Sequence, residues 1–387
     1  MLIGFKTQLK LNPTTRTQLA KHAGVARHAY NWGLALTKQI LDNNKANPNE
    51  KIKFPTAIDL HKWLVALVKP DKPWYYEVSK CAPQYALRHL REAWDRCFKR
   101  ISGVPRFKKK GRHDSFTLDG SIKLEHFKIK VPIIGWLKTY ERLPSCFTPK
   151  SVTISRHADR WFISFKLEVE PTITDKAVKY VGVDLGINTL ATLSTGEVFL
   201  GAKSYKRYEK KLARLQYLLR KKQIGSANYR KAQLRIARLH RRITNIRLDT
   251  QHALTTYISK NHAVIGLEDL NVSGMMANRK LAKAIGDIGF YEFRRQLEYK
   301  SQLYGSRVVL VDRFFPSSKT CSNCNVVKES LSLSERTFQC EECGFECDRD
   351  LNASINLEKA VSSTVLVCGL DGADTSRAKQ KEDVSNY

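Results

Sequence analysis

Two Cys-x-x-Cys pairs, Cys321/Cys324 and Cys340/Cys343, stand 15 residues apart. Each pair places two thiolates on one tight knuckle, and two knuckles close a tetrahedral four-sulfur site of the kind that holds Zn²⁺. Gly344 after the second knuckle suits the sharp turn such ribbons use. Cys347 is close enough to substitute for Cys343, so the fourth ligand stays open between them at this point. Four sulfur ligands leave no vacant coordination position, which makes the expected zinc structural and not catalytic.

Three acids fall at the ends of expected elements. Asp184 ends the apolar run Tyr180-Val181-Gly182-Val183, Glu268 ends Ile265-Gly266-Leu267, and Asp350 opens a helix in Asp348-Arg349-Asp350-Leu351-Asn352-Ala353. A lone acid in such a place is commonly a cap or turn residue. Carboxylates ending buried strands, however, carry charge where desolvation is costly unless a cation neutralises it. Carboxylates held on neighbouring elements suit Mg²⁺ or Mn²⁺, and two such ions about 3.5–4 Å apart promote phosphodiester cleavage.

The composition supplies a substrate for that chemistry. The chain has 387 residues, with 67 Lys+Arg against 37 Asp+Glu and a formal charge of +30. Such an excess attracts a polyanion, and nucleic acid is the commonest one. At 42% hydrophobic and 10% aromatic residues the chain can build real cores, which excludes wholesale disorder. No apolar run reaches the ~18–20 residues of a membrane span, and no secretory or lipidation signal is visible, so a cytoplasmic protein without membrane partners is expected. Nine cysteines, an odd number, argue against a disulfide framework; Cys81, Cys97 and Cys146 are expected as buried thiols.

Alternation over residues 3–11, 116–134 and 150–169 predicts strands, with helix over about 14–100 broken at Pro70, Pro73 and Pro83. Residues 171–179 read as a linker. Strands are then expected at 180–184, 189–194, 263–268 and 307–312, with helices at about 203–258 and 284–304 and a short one near Asp350. Residues 203–247 carry 16 basic side chains and one acid, Glu209, around an apolar seam at helical spacing. That pattern predicts a helical hairpin facing a phosphate backbone. Candidate contacts are Lys210, Lys211, Arg214, Arg235, Arg238 and Arg242, joined by Lys108, Lys109, Lys110 and Arg112.

At this point the motifs resemble a known family. Val181-Gly182-Val183-Asp184-Leu185-Gly186, Gly266-Leu267-Glu268-Asp269-Leu270 and Asp348-Arg349-Asp350-Leu351-Asn352-Ala353 look like the three segments of a split RuvC-type nuclease. Their order, with a zinc ribbon before the third, resembles TnpB, a family of insertion-sequence proteins related to type V CRISPR effector nucleases. Gly24-Val25-Ala26-Arg27 with Tyr30-Asn31, and Pro105-Arg106-Phe107-Lys108, are similar to its N-terminal signatures. The resemblance implies an α/β, RNase H-like nuclease core with an inserted zinc ribbon, preceded by a wedge β-barrel carrying a helical recognition insert. Patterning and composition give domains at 1–175 and 176–358 and a flexible tail at 359–387, where Ser, Asp, Lys and Gly prevail; the resemblance covers about residues 1–358. It further implies a guide RNA from the element's end, double-stranded target DNA beside a short target-adjacent motif, and catalysis by Asp184, Glu268 and Asp350 with Mg²⁺ or Mn²⁺. The matching Asp-x-Asn-Ala pattern favours Asp350 over Asp348.

Two rival functions share these residues: a transposase or recombinase that joins DNA ends, and a guide-dependent regulator that does not cut. A histidine or tyrosine nucleophile is set aside, because His22, His28, His252 and His262 lack partners at nucleophile-like spacing.

Overall fold

A computed structural model describes residues 1–144, 147–332 and 334–367 of the chain. Cys146 and most of the expected tail lie outside the described residues. The chain divides into two compact units, Met1–Val169 with Ile224–Arg241, and Glu170–Gln223 with the residues from Arg242 onward.

In the first unit the alternating residues of β1 (Leu2–Lys10) form a central strand, followed by α1 (Pro13–Ala46), α2 (Ala57–Trp63) and α3 (Cys81–Phe98). Strands β2 (Ser115–Asp119), β3 (Lys123–Glu125), β4 (Lys128–Val131), β5 (Gly135–Thr139), β6 (Ser151–His157) and β7 (Arg160–Glu168) complete a seven-stranded antiparallel sheet ordered β2-β6-β7-β1-β5-β4-β3. Asn12 caps α1 by accepting the Thr15 N–H at 2.7 Å, with Pro13 in the first helical position. Gly33 lets α1 approach α3: a Cβ there would lie 2.8 and 2.9 Å from Leu87 and Leu90. Pro83, expected as a break, instead occupies the first turn of α3, where backbone N–H groups have no intrahelical acceptor to lose.

The second unit contains β8 (Val178–Asp184), β9 (Ala191–Leu193), β10 (Val198–Phe199), α4 (Ser204–Arg220), the C-terminal half of α5 (Ala227–Asn261) and β11 (His262–Glu268). It continues through α6 (Val272–Ala277), α7 (Ala282–Ile288), α8 (Phe290–Tyr304), β12 (Arg307–Val311), β13 (Thr337–Gln339), β14 (Glu346–Asp348) and α9 (Arg349–Val367). The sheet order is β10-β9-β8-β11-β12, with β8, β11 and β12 parallel and β9 antiparallel to β8. This is the mixed sheet of an RNase H-like core. Val181, Val183, Ile265 and Leu267 pack into its core with Ile258, Phe293 and Leu297.

Three further expectations differ from the structure. The helix expected at 284–304 is two helices, because Gly289 at φ +77° ends α7 and starts α8. The short helix at Asp350 runs 19 residues, so residues 359–367 belong to α9 and not to a tail. The 171–179 segment is strapped down within its own unit: the Thr172 N–H donates to Leu303 O, and the Lys176 amine donates to Ser259 O and Tyr304 O, each at 2.8 Å.

Candidate active site and metal centre

Strands β8 and β11 pair in parallel with Gly182 beside Gly266, and each glycine stands two residues before an acid. The two-residue pleat therefore turns Gly182, Gly266, Asp184 and Glu268 to one face of the sheet. Helix α9 lies directly on that face. A Cβ on Gly182 would overlap the Ser354 carbonyl oxygen and sit 2.5 Å from Glu358 N, while one on Gly266 would meet Val361 Cγ2 at 2.6 Å. The missing side chains thus allow a helix to lie on two strands, and its first turn carries Asp350 to the strand ends. Asp348 instead caps α9, its Oδ1 accepting the N–H groups of Asp350 and Leu351 at 2.9 and 3.0 Å.

All three acids are half-buried. Burial, followed by the carboxylates of Asp350 and Glu268, pushes the Asp184 carboxyl up to about 7, with Arg349 opposing. Burial also raises Glu268. Asp184 therefore lies within electrostatic reach of both Asp350 and Glu268. Their oxygens are more widely spread than the ribbon sulfurs, which are the one set among the described residues with every ligand atom within 4.8 Å of the others.

The four-sulfur cluster consists of Cys321, Cys324, Cys340 and Cys343. The Cys321–Cys343 and Cys324–Cys340 sulfurs lie 3.7 and 3.6 Å apart. Tetrahedral ligands at about 2.3 Å from a metal would be about 3.8 Å apart, so the sulfurs fit one ion. The Phe345 N–H lowers the Cys343 thiol to about 6, assisted by the Asn323 amide. Cys347, the alternative ligand, is outside the cluster: it lies on β14 opposite Phe338, and burial pushes its thiol up.

Sequence reasoning missed the side chains that latch this ribbon to α9. Asn352 accepts the Ser322 N–H at 2.9 Å and donates to Thr320 O at 2.7 Å; Asn356 donates to Ser317 O and Thr320 O at 2.8 and 2.6 Å. The Lys359 amine donates to Ser322 O. One helix therefore carries Asp350 and clamps the first knuckle. The i, i+4 spacing of Asn352 and Asn356 on a buried helix face was the available signal.

The candidate nucleic-acid contacts separate into two kinds. Lys109, Lys110, Arg112, Lys210, Lys211, Arg214, Arg235 and Arg242 are exposed. Arg242 also stacks over Tyr208 at 5.3 Å. Lys108 is half-buried, with its amine 4.1 Å from the Tyr30 ring centre and its backbone bonded to the Asn31 amide at 2.8 and 2.9 Å. Arg238 is exposed but paired to Asp159 at 2.8 Å. The two N-terminal signatures thus meet through Asn31 and Lys108. Among the histidines set aside, His22 binds Gln18 O and the Ser79 N–H, and His262 binds Ile258 O. The Tyr75 hydroxyl met by His28 is buried, which raises its pKa.

A family profile described as "Probable transposase" (OrfB of IS605) matches residues 164–279, and a Cas12f1-like TNB domain matches 290–357. A profile described as a helix-turn-helix domain matches residues 1–46, which here form one strand and a single 34-residue helix. A protein of Escherichia coli (strain K12) named "Putative RNA-guided DNA endonuclease InsQ" is 34% identical, over 95% of this chain and 94% of its own. A Streptomyces pristinaespiralis protein of the same description is 39% identical, over 79% of this chain and 77% of its own. The solved Cas12f1-sgRNA-target DNA complex shares the fold, with a TM-score of 0.56 at 15% identity over 90% of this chain and 83% of that one. No helix among the described residues is long and apolar enough to cross a membrane. Identity of this extent, added to the ordered glycines, acids and ribbon, makes the chain a member of the TnpB family of insertion-sequence proteins.

Proposed function

We propose that the protein is an RNA-guided DNA endonuclease of the bacterial cytoplasm, cutting double-stranded DNA by metal-dependent phosphodiester hydrolysis. The observation that carries this reading is the placement of the acids: Asp184 and Glu268 end neighbouring parallel strands two residues beyond the glycines that seat α9, and the first turn of α9 bears Asp350. Relatives named RNA-guided DNA endonucleases support it.

Asp184 and Glu268 would hold divalent ions from the sheet and Asp350 from the helix, Mg²⁺ being the ordinary choice for carboxylate and water ligands. When bound, the ions would supply a nucleophile at neutral pH and neutralise charge on the leaving oxygen. The chain's own part is to fix three carboxylates on rigid elements and to keep them half-desolvated, where their attraction for a cation is strongest. Structural Zn²⁺ would close the Cys321, Cys324, Cys340 and Cys343 cluster, and the Asn352 latch would transmit that rigidity to the helix bearing Asp350. Base pairing of guide RNA with target DNA would supply sequence choice, leaving the protein to bind backbone and shape.

The test is cleavage of target DNA by purified protein with guide RNA and Mg²⁺. Asp184→Ala, Glu268→Ala and Asp350→Ala should each abolish cutting while guide and target binding persist; three active variants would refute the site. The "Probable transposase" description of the matching family favours a second reading, DNA strand transfer. Joined DNA ends formed without RNA would establish that reading instead, and guided binding without any cleavage would establish a regulator.

A further inference from the structure

We propose that Asp269 is a positioning residue that holds Arg294 and Arg313 as a paired seat for one backbone phosphate of the DNA strand being cut. The proposal rests on the reading of Asp184, Glu268 and Asp350 as the cleavage site. A cleft of about 400 Å³ opens past the ends of the strands, and Glu268, Arg294 and Arg313 all line it. The Asp269 N–H still donates to Val311 O at 3.1 Å, so the residue keeps strand register beside β12 immediately after Glu268. Its two carboxylate oxygens are divided: Oδ1 accepts Arg294 Nη1 and Oδ2 accepts Arg313 Nη2, each at 2.7 Å. Two guanidinium groups from separate elements, α8 and the turn after β12, are thereby drawn to one point.

Each arginine retains donors. Arg313 spends one N–H group on Asp269, and Arg294 spends one there and its Nε–H on Glu298. A guanidinium carries five, in a planar fork that fits phosphate oxygens. The neighbouring Arg295, by contrast, is taken up by a two-point pair with Glu292. A role in stability alone is a weak account of Asp269. The three side chains are 30–46% exposed, and ion pairs of that exposure contribute little to folding. Two guanidinium groups lining the cleft that Glu268 also lines are better explained by a ligand, and the anion present there during cleavage would be the substrate backbone.

The test uses the full chain with guide RNA, cutting targets in which one neutral methylphosphonate replaces a phosphate, moved linkage by linkage through the cut region. In the wild type one linkage beside the cut should slow cleavage about tenfold. Asp269→Asn and Arg313→Ala should each cut the ordinary target about tenfold more slowly, yet lose no further rate at that linkage. Their melting temperatures should stay within about 3 °C of wild type, and Arg313→Lys should recover part of the rate. Slowing that multiplies at every linkage, unchanged cleavage by Asp269→Asn, or a loss of rate matched by a large fall in melting temperature would overturn the proposal. Glu268→Gln serves as the parallel control. If it still cuts, the cleavage-site reading fails whatever Asp269 does; if it is inactive while Asp269→Asn is normal, only the phosphate seat fails.

Discussion

A carboxylate that burial and two neighbouring acids hold at about 7 is a poor permanent anion and a ready partner for a cation. For Asp184 the linkage has a definite sign, because its folded pKa is raised above the ordinary value of 3.8. Its contribution to stability is complete below about pH 4 and is lost as pH rises through about 7. In a chelator, the melting temperature of the wild type should therefore fall between pH 5 and pH 8 relative to Asp184→Asn. Added divalent ion should restore more at pH 8 than at pH 5. Parallel melting curves for the two proteins would contradict this account of the site. The acids themselves were legible in the sequence, since a charged residue ending an apolar run is conspicuous. Of the Asn352 latch only the i, i+4 spacing with Asn356 shows locally, because its partners Thr320 and Ser322 lie some thirty positions away. Lys108 is a related case: composition counts an ammonium group but does not reveal that it faces the Tyr30 ring.

At the scale of elements, the contact that matters is α9 on β8 and β11. Replacing Gly182 or Gly266 by Ala drives a methyl group into the helix backbone or the Val361 side chain. Overpacking of this kind costs about 1–3 kcal/mol or more. Chemical denaturation of Gly182→Ala should show a loss of at least that order, with weakened ion binding, because Asp350 moves with its helix. Wild-type stability would remove the explanation for the paired glycines. The strands were readable from their apolar runs and the break at Gly289 was not, since a glycine within a helical pattern marks a C-cap only when its φ is positive. The length of α9 is hard to read because residues 361–364, Val-Ser-Ser-Thr, have weak helix propensity. Burial of Leu357 and Val361 overrides that preference.

For the molecule as a whole, the net charge of +30 is the property most easily read and least easily assigned to individual residues. The hairpin expected at 203–258 is divided between the two units, the boundary running through α5 after Arg241. Arg238 and Arg241 both pair with Asp159 in the first unit, which no periodicity in α5 could have disclosed. Lys210, Lys211 and Arg214 remain exposed on α4. Changing these three to Gln should flatten the dependence of log affinity for nucleic acid on log salt by roughly two to three, and an unchanged slope would remove them from the interface. The central claim is that three acids, far apart in sequence, share divalent ions at one point of the fold. Its most direct measurement is Mn²⁺ binding by electron paramagnetic resonance, in the wild type and in Asp184→Ala, Glu268→Ala and Asp350→Ala. Each substitution should weaken binding about tenfold or more; three variants that bind Mn²⁺ as tightly as the wild type would contradict the shared site.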